Sequence, residues 1–192
     1  MLKPLFGAYC RVMEDKLLVW KLKRGSREAL RRVYEKYHVD LLKLAIALTG
    51  DVHVAEDIVH DVFVRFAQSI DRLLVTGSVK GYLVVSVVNA VRSDRRTRRR
   101  HREQSLDGAA ALASTSGQPD QWAILSERLE RLRLAMVQLP YEQREVVALH
   151  LQAGMTFRAI ACRQGTSVST VQGRYRYGLD RLRTLLDGKM DT

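Results

Sequence analysis

Between His101 and Asp120 the chain reads HREQSLDGAAALASTSGQPD, and this stretch constrains the fold more than any other. It is small, polar and without apolar periodicity, so it offers no face to bury and reads as a linker. The 192 residues are thereby cut into two short lengths, each of which has to build its own small core. Helical periodicity dominates both lengths. The expectation is an all-α protein of two small helical domains joined by a flexible linker. The divisions are an N-terminal extension over 1–15, a first domain over 16–100, the linker over 101–120 and a second domain over 121–188.

In the first length, Ser26 is placed to cap a helix in which Leu30, Val33, Tyr34, Tyr37, Leu41, Leu44, Ala45 and Leu48 recur at steps of three and four. Gly50 ends it, and Asp51 caps a second helix striped with Val54, Ile58, Val62, Phe66 and Ile70. Residues 71–78 read as a loop, with Ser78 as the next cap. YLVVSVVNAV, residues 82–91, is rich in β-branched residues and in isolation resembles a buried strand. It is read as helix because no turn signal separates it from the arginines that follow, and a lone strand among helices would have no partner. Beyond the linker, Trp122, Leu125, Leu129, Leu132, Met136 and Leu139 keep helical spacing until Pro140. Helices are then expected over about 141–152, from Thr156 to Gln164, and from Val168 to about Leu186.

Composition narrows the class. Hydrophobic residues make up 46% of the chain, enough for real cores, and 32 Lys and Arg stand against 21 Asp and Glu for a net charge of +11. A polyanion suits such a surface, with an anionic membrane surface as the competing reading. No apolar run approaches the ~20 residues needed to span a bilayer. The N-terminal segment lacks a signal-peptide cleavage pattern, so cytoplasmic residence is expected without membrane insertion. Cys10 and Cys162 share no metal-ligand or redox spacing and read as reduced thiols. No glycine-rich phosphate loop, nucleophile elbow or catalytic triad spacing is found, so neither an enzyme nor a cofactor is expected.

Three constellations carry the functional argument. TFRAIACRQGTSVSTVQGRYRYGLDRLR, from Thr156 to Arg183, has the form helix, glycine turn, helix. Ile160, Ala161, Val171, Tyr175, Leu179 and Leu182 face inward, and Ser167 caps the second helix. Ser169, Gln172, Gly173 and Arg176 share the outer face, flanked by Thr170 and Arg174. Short polar groups and a Gln at a helix N-terminus suit base edges in a major groove, and the arginines suit phosphates. The same spacing also describes an ordinary helical hairpin with a solvated face. The second constellation is RSDRRTRRRHR, residues 92–102, with seven arginines. If the preceding helix continues through it, Asn89, Arg92, Arg96 and Arg100 fall on one side and can follow a phosphate backbone. A solvated charge run is the alternative. In the third, His53, Asp57, His60 and Asp61 recur at helical steps. They could chelate a metal, but no cysteine ligand, HExxH or second cluster accompanies them, so a protein-binding face is the better reading.

These blocks, in this order and at these separations, resemble the sigma-70 family, specifically its small extracytoplasmic-function group. AEDIVHDVFVR at 55–65 is similar to the part of sigma region 2 that grips polymerase. YLVVSVVNAVRSDRRTRRR at 82–100 is similar to the helix that melts and reads the −10 element. The stretch from Leu139 to Arg183 is similar to region 4, which reads the −35 element. The resemblance implies core polymerase contacts at Asp57, His60, Asp61 and Arg65. It implies single-stranded −10 contacts at Asn89, Arg92, Arg95 and Arg96, and duplex −35 contacts at Ser169, Thr170, Gln172, Arg174 and Arg176. It further implies core RNA polymerase and promoter DNA as partners, a separate anti-sigma factor or other regulator, and no stable homo-oligomer. The chain departs from the family pattern at His60-Asp61 (usually Gln-Glu), Tyr82 (often Trp), Ala159 (usually Glu) and Gln164 (usually apolar). The last two predict a looser first helix in the helix-turn-helix. The rival reading is a helix-turn-helix regulator that never touches polymerase, which would leave the face at 53–65 unused.

Overall fold

The computed structural model describes residues 14–70, 78–104 and 121–187, which form eight helices and no strand. They are α1 (14–23), α2 (Arg27–Thr49), α3 (Val52–Ser69), α4 (Val79–Gln104), α5 (Gln121–Val137), α6 (Tyr141–Leu151), α7 (Phe157–Gln164) and α8 (Val168–Asp187). The all-α expectation holds. Residues 1–13 with Cys10, the loop over 71–77 and the linker stretch 105–120 lie outside the described residues. The first helix begins at residue 14 and α4 runs four residues past the expected domain end, to Gln104.

Helix starts follow local chemistry. The Ser26 hydroxyl accepts from the Ala29 N–H, the Asp51 carboxylate from the Val54 N–H, and the Ser78 hydroxyl from the Gly81 N–H. Each satisfies a donor that the first helical turn leaves unpaired. Gly50 closes α2 at φ 76°, and a Cβ there would collide with Cγ2 of Val137 at the end of α5. A side chain at that position would be strained and would also push α5 away.

Helices α2, α3 and α4 form the larger bundle, closed on one side by Leu18, Val19 and Leu22 of α1. Asp15 is buried beside them. It accepts from the Tyr37 hydroxyl at 2.6 Å and from Lys36 at 3.1 Å, so its charge is paired. Burial, reinforced by that carboxylate, pushes the Tyr37 hydroxyl up to about 12. The valine-rich run is helical. Val79, Leu83, Val84, Val87, Val88 and Val91 recur at steps of three and four and are all buried. Valine is less favourable than alanine in a helix by only some tenths of a kcal/mol, whereas full burial contributes about 1.5–3 kcal/mol, so burial decides the conformation.

The C-terminal helices form a smaller cluster around Val146, Leu149, Ile160, Val171 and Leu182. His150, Phe157 and Tyr175 stack beside it with ring centroids 4.3–5.2 Å apart. The two halves do not stand apart: α5 and α6 pack on α2, and buried residues of both halves belong to one connected core.

Candidate polymerase and nucleic-acid interfaces

Asp57, His60, Asp61 and Arg65 are all exposed on α3, whose buried stripe carries Ile58, Val62 and Phe66. Arg65 and Asp61, one turn apart, approach to 3.9 Å in a solvent-facing pair of little energetic weight. The helical repeat that sends apolar residues inward has sent these four outward. Among the described residues no group of three or more His, Cys, Asp or Glu is arranged to hold a metal ion. An open groove of about 690 Å³ runs between α3 and α4, and it brings Asp57, Asp61 and Arg65 to the same depression as Asn89, Ser93 and Arg98.

α4 is continuous through the arginine run, so Asn89, Arg92 and Arg96 do share a side, as the sequence predicts. Asn89, Arg95, Arg96 and Arg100 are exposed and Arg92 is half-buried. Asn89, Arg92 and Arg95 also contact the C-terminal half. Arg92 donates through Nε to Oε1 and through Nη2 to Oε2 of Glu145 on α6, both at 3.0 Å. Arg95 lies 4.1 Å over the Tyr141 ring at the start of α6. Asn89 accepts through Oδ1 from Arg163 on α7 at 2.8 Å, and Arg163 also donates to the Val85 carbonyl.

Glu145 is 2% exposed and organises this contact. Besides the fork from Arg92 it accepts from Gln164 Nε2 at 3.0 Å, and Gln164 Oε1 in turn accepts from Arg174 on α8 at 2.8 Å. Gln164 thereby bridges Glu145 and Arg174. Burial and then the neighbouring Glu145 charge push the Tyr141 hydroxyl up to about 12. Glu145 is the residue the sequence reading missed. Its signal was available, because it falls four residues after Tyr141 and four before Leu149, on an otherwise inward stripe.

The helix-turn-helix forms as the sequence implies. The Thr156 hydroxyl accepts from the Ala159 N–H, so α7 is capped without the missing reciprocal Glu. Gly165 turns the chain at φ 62°, in the left-handed region where a Cβ is unfavourable, and its N–H returns to the Ala161 and Cys162 carbonyls. Ser167 caps α8 by accepting from the Thr170 N–H at 3.1 Å. Ser169, Thr170, Gln172 and Arg176 are exposed, while Arg174 is half-buried and held by Gln164.

With this geometry in place, the chain matches Sigma-70 region 2 over residues 33–101 and Sigma-70 region 4 over 129–182. It is 33% identical over 153 residues to the ECF RNA polymerase sigma factor EcfG of Rhodopseudomonas palustris, spanning 79% of this chain and 82% of that one. It is 28% identical over 162 residues to the ECF sigma factor SigL of Mycobacterium tuberculosis, spanning 82% and 88%. Among solved structures, the fold is similar to that of the sigma factor RpoE of Bartonella quintana, determined with the anti-sigma factor NepR. That likeness has a TM-score of 0.60 at 24% identity over 84% of this chain and 99% of that one. A second likeness is to CnrH, determined with the cytosolic domain of CnrY, with a TM-score of 0.62 at 23% identity over 92% and 99%. The chain belongs to the extracytoplasmic-function group of the sigma-70 family. It is a sigma factor: it binds core RNA polymerase and directs promoter-specific initiation.

Proposed function

We propose that this chain divides that activity among three helices. α3 docks on core polymerase through Asp57, His60, Asp61 and Arg65. α4 holds the opened −10 strand through Asn89, Arg92, Arg95 and Arg96. α8 reads duplex −35 DNA through Ser169, Thr170, Gln172, Arg174 and Arg176. The observation that supports this reading is that α3 and α8 turn polar faces outward from buried apolar stripes, while α4 carries Asn89 and its arginines on the side away from its buried valines.

Each part then follows from its chemistry. Acidic and short polar groups on α3 suit a basic protein groove. A stripe of guanidiniums suits a phosphate backbone whose bases have been unstacked, a step that takes a few kcal/mol per base. A capped helix with Gln172 near its N-terminus suits a major groove. Polymerase supplies the covalent chemistry, so the chain acts as a non-catalytic factor in the cytoplasm. Two DNA-reading modules on one chain gain apparent affinity through effective concentration. An anti-sigma factor is the expected regulator.

In vitro transcription with purified core enzyme on a pool of promoter fragments tests the reading. Intact protein should direct initiation from a distinct subset of fragments. Changing Asp57 and Asp61 together to Ala should abolish co-purification with core while leaving duplex binding by α8 in place. Normal core binding by that variant would move the polymerase contact elsewhere. No core binding by the intact chain would favour a regulator acting on DNA alone.

A further inference from the structure

Gln164, at the end of α7, stands between two groups that fix its amide from opposite sides. Its Nε2 donates to Oε2 of Glu145 on α6 at 3.0 Å, and its Oε1 accepts from Nη1 of Arg174 on α8 at 2.8 Å. A carboxylate can only accept and a guanidinium can only donate, so one orientation of the amide serves both. Glu145 is a firm anchor for the first bond, being buried on the inward stripe of α6 with its charge paired to Arg92. Its carboxylate also polarises the amide, which makes Oε1 a stronger acceptor for Arg174. An apolar side chain, usual at this position in the family pattern, could make neither bond.

Arg174 lies in the second turn of α8, beside the outward residues Ser169, Gln172 and Arg176. The first turns of a recognition helix are the ones that reach base edges. Arg174 is half-buried, and the bond to Gln164 is its one hydrogen bond among the described residues. A guanidinium carries five N–H donors, so Gln164 sets the direction of the fork while the others stay available. A neutral partner also leaves the positive charge whole, whereas a carboxylate at 164 would cancel it. Arg176 differs: it is exposed, and its ring contact is with Tyr177, its own neighbour in sequence. A free arginine of that kind suits phosphates, which lie all along a duplex. A tethered one suits a single base edge, because it loses less side-chain freedom on docking and its planar fork is already aimed.

We propose that Gln164 is a positioning residue for promoter recognition, holding the Arg174 guanidinium so that it selects one base pair of the −35 element. This rests on α8 being the −35 helix and on Arg174 being among its readers. Guanine is the natural target, since its O6 and N7 accept an arginine fork side by side. Glu145, Gln164 and Arg174 all belong to the C-terminal half, whose helices α6, α7 and α8 pack on one another. The aim of Arg174 therefore travels with α8 wherever that half docks on DNA.

The test uses holoenzyme assembled from core polymerase and the full chain, with a pool of promoter duplexes randomised across the upstream element. Bound fragments are sequenced for wild type, Gln164→Met, Arg174→Ala and the double variant. Methionine keeps the length of glutamine and makes neither bond. Gln164→Met should keep its helical circular dichroism and lose about tenfold in preference for guanine at one position, with the other positions unchanged. Arg174→Ala should flatten that same position, and the double variant should go no further. Preference retained in Gln164→Met but lost in Arg174→Ala would overturn the positioning role. So would an equal loss at every position, or loss of helicity in both Gln164→Met and Gln164→Leu, since each marks a merely structural residue. Preference retained in Arg174→Ala would remove Arg174 from the readers, and the proposal would fall with the reading beneath it.

Discussion

α4 and α8 carry the two surfaces assigned to DNA, and they are built in opposite ways. α4 lies against α2 and α3 and buries Val79, Leu83, Val84, Val87, Val88 and Val91. α8 lies on the rim of the smaller cluster and buries only Val171, Gly178 and Leu182. The first is a rigid platform whose polar side is engaged by the other half of the chain. The second is lightly anchored and open. A surface that must hold bases after strand separation gains from rigidity, because disorder in the protein would add to the entropy lost on binding. A helix that enters an existing groove needs only its cap and a few anchors.

The contrast can be broken at several points. Leu83→Ala on α4 should destabilise the protein by about 4 kcal/mol, and Leu182→Ala on α8 by about 2 kcal/mol, measured by denaturant unfolding. Equal losses would show that α8 is anchored as firmly as α4. Gln172→Ala should remove ~1–3 kcal/mol of discrimination at one position of the upstream element, read from binding to a randomised duplex pool. Asn89→Ala should leave that upstream preference untouched. If both variants shift it, the two helices are not separate readers. Loss of the α8 cap in Ser167→Ala should reduce stability by ~1 kcal/mol and weaken duplex binding without affecting core association. Finally, Arg96→Ala should lower the salt dependence of promoter-complex formation by roughly one unit of slope, one phosphate contact's worth. An unaltered slope would take Arg96 off the DNA face.

Helix starts and the outward faces could be read from the sequence because both depend on local spacing. Ser26, Asp51, Ser78, Thr156 and Ser167 each cap where a polar acceptor precedes an apolar repeat. The exposure of Asp57, His60, Asp61 and Arg65 follows from the period that buries Ile58 and Val62. The valine run was harder. β-Propensity points to strand, and the helix is read only from the missing turn signal before the arginines and the missing strand partner; the fold then buries 79, 83, 84, 87, 88 and 91 along one side of α4. The packing of the two halves was hidden for a different reason. Arg92 and Glu145 are far apart in sequence, so even the inward register of Glu145 does not say which cation it meets. Reading 101–120 as a linker hid this too, since a linker in the sequence says nothing about whether the units it joins will touch.

The valine run has a consequence for biosynthesis. Both helices that α4 packs on, α2 and α3, precede it in the chain, so they leave the ribosome first. A segment with strand-forming character is thus made after both of the helices whose apolar sides cover it in the fold. With the order reversed, the same ten residues would wait unpaired, free to zip against copies of themselves on neighbouring nascent chains.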